Sequence, residues 1–208
     1  MLHKQTVTSA TYALLKFIQS EPAFSKMRLV GGTSLALQYG HRESEDLDFF
    51  GKHGLSMEEL LEILEHVGEI KQLKNSRSIK VLSVNNTKVD FVEYSYPWID
   101  EPLRSDGLVL ATAKDIAAMK VAAITGRGSR KDFYDLDLLL SMFRMEEILD
   151  FYTTKYQDGS LYLALKSLVY FDDADQEKDP ILIRKRKWEA VKANIEKNQS
   201  EYIRKHKN

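Results

Sequence analysis

The sequence predicts an α+β fold, a mixed sheet with helices in the amino-terminal half followed by a helical carboxy-terminal half. Three observations carry this. Apolar and polar residues alternate over residues 47–50, 79–84 and 88–94, the two-residue period of half-buried strands. Between these stretches lie segments whose apolar residues fall three and four apart, the spacing of helices with one buried face. Beyond about Pro102 the strand period stops, and capped helical segments take over.

Each element has a local cause. Residues 7–18 carry Ala10, Leu14, Phe17 and Ile18 on one helical face, and Pro22 ends the run. Residues 27–30 make a short strand, 33–39 a helix and 47–50 a second strand. Ser56-Met57-Glu58-Glu59 has the form of a capping box and opens a helix that buries Leu60, Leu61, Ile63, Leu64 and Val67. Asn85-Asn86 divides the alternating stretches 79–84 and 88–94, as expected of a hairpin turn. The domain boundary is expected between residues 107 and 108. Thr112 then caps a helix through Ile116, Met119, Lys120 and Ala123, stopped by Gly126 and Gly128. Further helices are expected over 130–142, 145–156 and 161–170, then an acidic linker over 172–180. A long basic helix begins at Ile183 or Trp188 and runs to His206.

Composition excludes more than it selects. The chain has 208 residues and a net charge of −1, so any surface for a polyanion must be local. It contains no cysteine, which rules out disulfides, thiolate zinc sites and a cysteine nucleophile. No apolar run approaches membrane-span length, and the amino terminus lacks a signal-peptide core, so a cytoplasmic protein is expected.

The most informative stretch is Val30-Gly31-Gly32-Thr33-Ser34, followed by Asp46-Leu47-Asp48. Paired glycines at a helix start let a phosphate approach the backbone N–H groups closely, with Thr33 and Ser34 opening the helix. Asp46 and Asp48 alternate with apolar residues, so both carboxylates leave one strand face about 6–7 Å apart. Two carboxylates aimed at one point call for a cation between them. Asp90, in Lys88-Val89-Asp90-Phe91, is a third strand acid. If its strand lies beside residues 47–50, Asp90 completes a triad suited to in-line nucleotidyl transfer. Asp46 and Asp48 would then hold two Mg²⁺ ions on an NTP, and Asp90 would bind one metal and activate the attacking hydroxyl. The alternative is an acid that merely faces solvent.

Taken together, these residues resemble the DNA polymerase β-like minimal nucleotidyltransferase superfamily. More narrowly they are similar to the AbiEii/AbiGii-type nucleotidyltransferases, toxins of type IV toxin–antitoxin and phage abortive-infection systems. The narrower likeness rests on Gly40-His41-Arg42-Glu43-Ser44, Lys88-Val89-Asp90, Asp115 through Lys120, Arg127 through Leu136, and Tyr170 through Ala174. The resemblance implies an NTP substrate, an acceptor hydroxyl that is a candidate tRNA 3′ end, and a separately encoded antitoxin. Protein and small-molecule acceptors stay open, as does a non-catalytic module on the same fold. A metal-dependent phosphohydrolase ranks last.

The basic residues have paired readings. Lys120, among Ala117, Ala118, Ala122 and Ala123, is either a solvated lysine or a counter-charge to a triphosphate, and the resemblance favours the second, with Arg127 two turns on. In the cluster Arg130, Lys131, Asp132 and Asp135, the two acids share a helix face. They either orient Lys120 or an incoming base, or complement the helix dipole. Arg42 and Ser44 either contact phosphate or brace their loop, and His41 lacks a second histidine at metal-ligand spacing. The tail Arg184-Lys185-Arg186-Lys187-Trp188, continued by Lys192, Lys197, Arg204, Lys205 and Lys207, offers phosphate partners and an indole for stacking. Glu189, Glu196 and Glu201 equally suit a solvated amphipathic helix.

Overall fold

A computed structural model describes residues 1–206. Lys207 of the basic tail lies outside the described residues. The chain forms two compact units, residues 1–95 with 102–111, and residues 96–101 with 112 onward.

In the first unit a seven-stranded sheet comprises β1 (Met27–Leu29), β2 (Leu47–Gly51), β3 (Ile70–Asn75), β4 (Ile79–Val84), β5 (Thr87–Glu93), β6 (Leu103–Ser105) and β7 (Leu108–Leu110). Their order is β3-β4-β5-β2-β1-β7-β6. β2 runs parallel to β5, and β1 runs parallel to β7, while the other neighbours are antiparallel. The alternation works as expected. Leu47, Phe49, Val89 and Phe91 are fully buried on one face, where Phe91 stacks on Phe24 at 5.0 Å and on Phe49 at 5.6 Å. The opposite face therefore carries Asp48 and Asp90.

Helices α1 (Ser9–Ser20), α2 (Gly31–Tyr39) and α3 (Met57–Leu64) complete the unit. Thr8 caps α1, and Ser56 and Glu59 form the expected capping box on α3. Asn85 and Asn86 both have positive φ, the geometry of a tight hairpin turn. The sequence reading missed three strands, β3, β6 and β7. Because β7 joins β1 through the pair Leu29↔Leu110, residues 102–111 group with the sheet of the first unit.

The second unit holds α4 (Ala113–Gly126), α5 (Arg130–Leu140), α6 (Met145–Lys155), α7 (Leu161–Ser167), α8 (Asp172–Asp175) and α9 (Trp188–Lys205). The stretch expected to be a plain linker contains the short helix α8, because Ala174 is buried and Asp175 accepts the Trp188 indole N–H at 2.5 Å. The terminal helix starts at Trp188. Its core is aromatic, with Phe133, Phe171 and Trp188 meeting at 5.0–5.9 Å.

A fully buried ion pair helps fasten this unit. Lys155 and Asp115 are both fully buried and 2.7 Å apart. Lys155 also donates to the Pro97 carbonyl and lies over the Trp98 ring. Asp115 accepts from the Ile99 N–H and the Thr112 hydroxyl. The pair thus ties the segment 96–101 to α4 and α6. No described helix is long and apolar enough to cross a membrane.

Candidate active site

The two mid-strand acids are neighbours. In the parallel β2–β5 ladder Asp48 pairs with Asp90, so their backbones stand about 4.8 Å apart and their side chains share a face. Two carboxylates so placed repel each other unless positive charge is supplied. Asp46 directly precedes β2, two residues before Asp48 in the acidic row the sequence leads one to expect.

The glycine pair is set against this row. α2 begins at Gly31 itself, two residues earlier than expected, and its N-cap Val30 donates its N–H to the Asp48 carbonyl at 2.8 Å. Gly31 has φ +68°, and a Cβ there would collide with the Asp48 carboxylate. Only glycine tolerates both the left-handed backbone and that contact. The first-turn N–H groups of α2, which have no intrahelical partner, therefore begin beside the acid row. Gly31→Ala is expected to strain the turn, displace the Asp48 carboxylate and lower activity by about 10²-fold, the size of effect that a misplaced functional group can produce. Circular dichroism should remain native. Wild-type turnover from this variant would exclude the packing role.

The neighbouring polar residues brace the loop between α2 and β2. The Thr33 hydroxyl donates to the Asp46 carbonyl and shares a 2.8 Å hydrogen bond with the Ser44 hydroxyl. The Ser44 N–H donates to the Thr6 carbonyl at 2.9 Å. Arg42 is buried and donates to the Glu43 carbonyl at 2.8 Å, and His41 is buried beside it. Ser34 is buried within α2 against Gln38.

Asp90 has a cation the sequence reading did not single out. Lys88 Nζ lies 2.6 Å from Asp90 Oδ1. Asp90 Oδ1 is buried, and the Lys88 ammonium is the charge placed against it. The strand alternation contained the signal, since residues two apart on a strand share a face.

Among the described residues, no group of three or more His, Cys, Asp or Glu side chains is gathered to hold a metal ion. What suits a hard divalent cation is the donor chemistry, oxygen ligands only, carried by Asp46, Asp48 and Asp90, with a buried Asp90 oxygen that lacks a hydrogen bond.

In the second unit, Lys120 is buried and pairs with Asp132 at 2.8 Å and Asp135 at 2.6 Å, linking α4 to α5. Burial pushes the Asp132 carboxyl up, but the Lys120 charge and the Ser129 hydroxyl outweigh it and hold the group below the usual carboxylate range. Both acids face the Lys120 ammonium. Arg127 is exposed at the end of α4, and Lys131 is half-buried on α5. Three cations of the basic tail pair with acids of the same unit. Arg186 makes a two-pronged pair with Asp137, Lys192 pairs with Asp175, and Lys205 with Glu146. Trp188 is 4% exposed, so its ring packs the core and does not offer a stacking surface.

Fold and family match together identify a nucleotidyltransferase. A family model described as nucleotidyl transferase AbiEii toxin, type IV TA system, matches residues 13–205, and the chain belongs to that family. Membership implies an NTP substrate and an antitoxin partner. An uncharacterized protein of Aquifex aeolicus (strain VF5) is 33% identical over 185 residues, covering 84% of this chain and 87% of its own. The crystal structure of JHP933 from Helicobacter pylori is similar at a TM-score of 0.62 and 21% identity, covering 99% of this chain and 94% of that one. MenT4, a nucleotidyltransferase toxin from Mycobacterium tuberculosis H37Rv, gives a TM-score of 0.60 at 18% identity, covering 93% of this chain and 85% of its own.

Proposed function

We propose that this toxin transfers a nucleoside monophosphate from an NTP to the 3′ hydroxyl of a tRNA, with Mg²⁺ held by Asp46, Asp48 and Asp90. The observation that carries the reading is the Asp48–Asp90 pair on adjacent parallel strands, with the Gly31 helix start pressed against it. The acceptor oxygen bonds to the α-phosphorus, the bond to the β-phosphate oxygen breaks, and pyrophosphate leaves. The first-turn N–H groups at Gly31 and Gly32 bind phosphate oxygens, as helix starts do. Thr33 and Ser44 hold the loop that aims Asp46. Asp90 accepts the proton of the attacking hydroxyl. A divalent cation bound there supplies charge neutralisation to the triphosphate.

The test is incubation of purified protein with each α-labelled NTP, Mg²⁺ and total RNA, beside tRNA whose 3′ hydroxyl has been oxidised. Label should enter intact tRNA, vanish with oxidised tRNA and vanish with Asp46→Ala. Transfer to a protein or a small molecule would overturn the acceptor. Transfer unaffected by Asp46→Ala would overturn the site.

A further inference from the structure

We infer that Lys88 is a positioning residue that exchanges partners during nucleotide loading: its ammonium neutralises Asp90 until a divalent cation takes that carboxylate, and then turns to the triphosphate. This rests on the metal-and-NTP reading above. Lys88 and Asp90 lie two apart on β5, on the face opposite Phe91. Asp46 directly precedes β2 and Lys88 precedes Val89 on β5, while Leu47 and Val89 are themselves paired. The Lys88 side chain therefore starts in the row of Asp46 and ends 2.6 Å from Asp90 Oδ1. Across the other edge of β5 the same face presents Ser83 and Val81, neither of which is charged.

The pair is built to part. Lys88 is 44% exposed, so the pair is held at a partly wetted position. Such pairs contribute little stability. A divalent cation ligated by the same oxygen displaces it easily, because an ammonium and a metal ion cannot share that site. The released four-carbon stem keeps the ammonium within reach of the acid row, where the incoming triphosphate brings negative charge.

Removal of the ammonium must then move two affinities in opposite directions. Lys88→Met is expected to tighten Mn²⁺ binding without nucleotide by about five-fold, the size of one screened unit-charge interaction. It should weaken NTP binding, read with a fluorescent NTP in Ca²⁺, by a similar factor. Lys88→Gln, measured in parallel, should behave alike, so a folding defect in one variant does not hide the effect. Mn²⁺ binding is followed by electron paramagnetic resonance. Unchanged or weakened Mn²⁺ binding in both variants would overturn the inference, as would unchanged NTP affinity. Asp90→Asn separates the two levels. If wild type and Asp90→Asn bind Mn²⁺ equally, the metal reading itself fails. If Asp90→Asn loses Mn²⁺ while the Lys88 variants do not gain, only the role of Lys88 fails.

Discussion

Asp90→Asn is expected to lower nucleotidyl transfer by about 10³-fold or more while leaving stability within about 1 kcal/mol of wild type. The activity loss follows from the loss of both a cation ligand and the group that receives the acceptor proton, each worth several kcal/mol in the transition state. Stability holds for a separate reason. Asp90 faces Asp48 across the β2–β5 ladder, and like charges directly opposite destabilise a sheet. Its compensating partner, Lys88, is 44% exposed, so that pair is worth at most about 1 kcal/mol. Removing the carboxylate relieves the first term and forfeits the second, and the two nearly cancel. Single-turnover transfer and thermal melting on the same preparation check both halves. A variant that melts far below wild type, or one that keeps its turnover, would contradict this account.

What the sequence made legible was whatever leaves a period or a turn behind. Leu47 to Phe50 and Val89 to Phe91 alternate cleanly because one face is buried and the other carries acids, and that placed Asp48 and Asp90 correctly in their strands. β3 left no such trace, because it is an exposed edge strand whose Lys71, Gln72, Leu73 and Lys74 have no face to alternate against. The β6–β7 hairpin did carry a signal. Asp106 and Gly107 both adopt positive φ, and Asp-Gly ahead of the apolar run Leu108-Val109-Leu110 marks a two-residue turn. Strands of three residues were too short to show their period beside it. Lys88 was visible but absorbed into the description of its neighbour. Trp188 misled for the opposite reason: a tryptophan flanked by Arg186 and Lys187 suggests an exposed stacking ring, whereas the aromatic neighbours Phe133 and Phe171 that bury it are distant in sequence.

Lys155 was not legible at all, and it carries the largest expected stability effect. A lysine at the end of an amphipathic helix is ordinarily solvated, yet this one is fully buried against Asp115. Breaking a buried ion pair by removing one member costs about 3–5 kcal/mol, because the other charge is left in the interior. The two single variants should differ within that range. Lys155→Met leaves Asp115 with the Ile99 N–H and the Thr112 hydroxyl as donors, so it belongs at the lower end. Asp115→Ala strands the Lys155 ammonium and also frees the backbone N–H groups of the 96–101 segment, so it belongs at the upper end. A loss of this size lowers the melting midpoint by on the order of 10 °C. The double variant Asp115→Ala/Lys155→Met should cost clearly less than the sum of the singles, since no unpaired charge remains. Hydrogen exchange should localise the loosening to residues 96–101 and the start of α4. Additive losses in the double variant, or single variants that melt with wild type, would show that the clasp does not hold the segment.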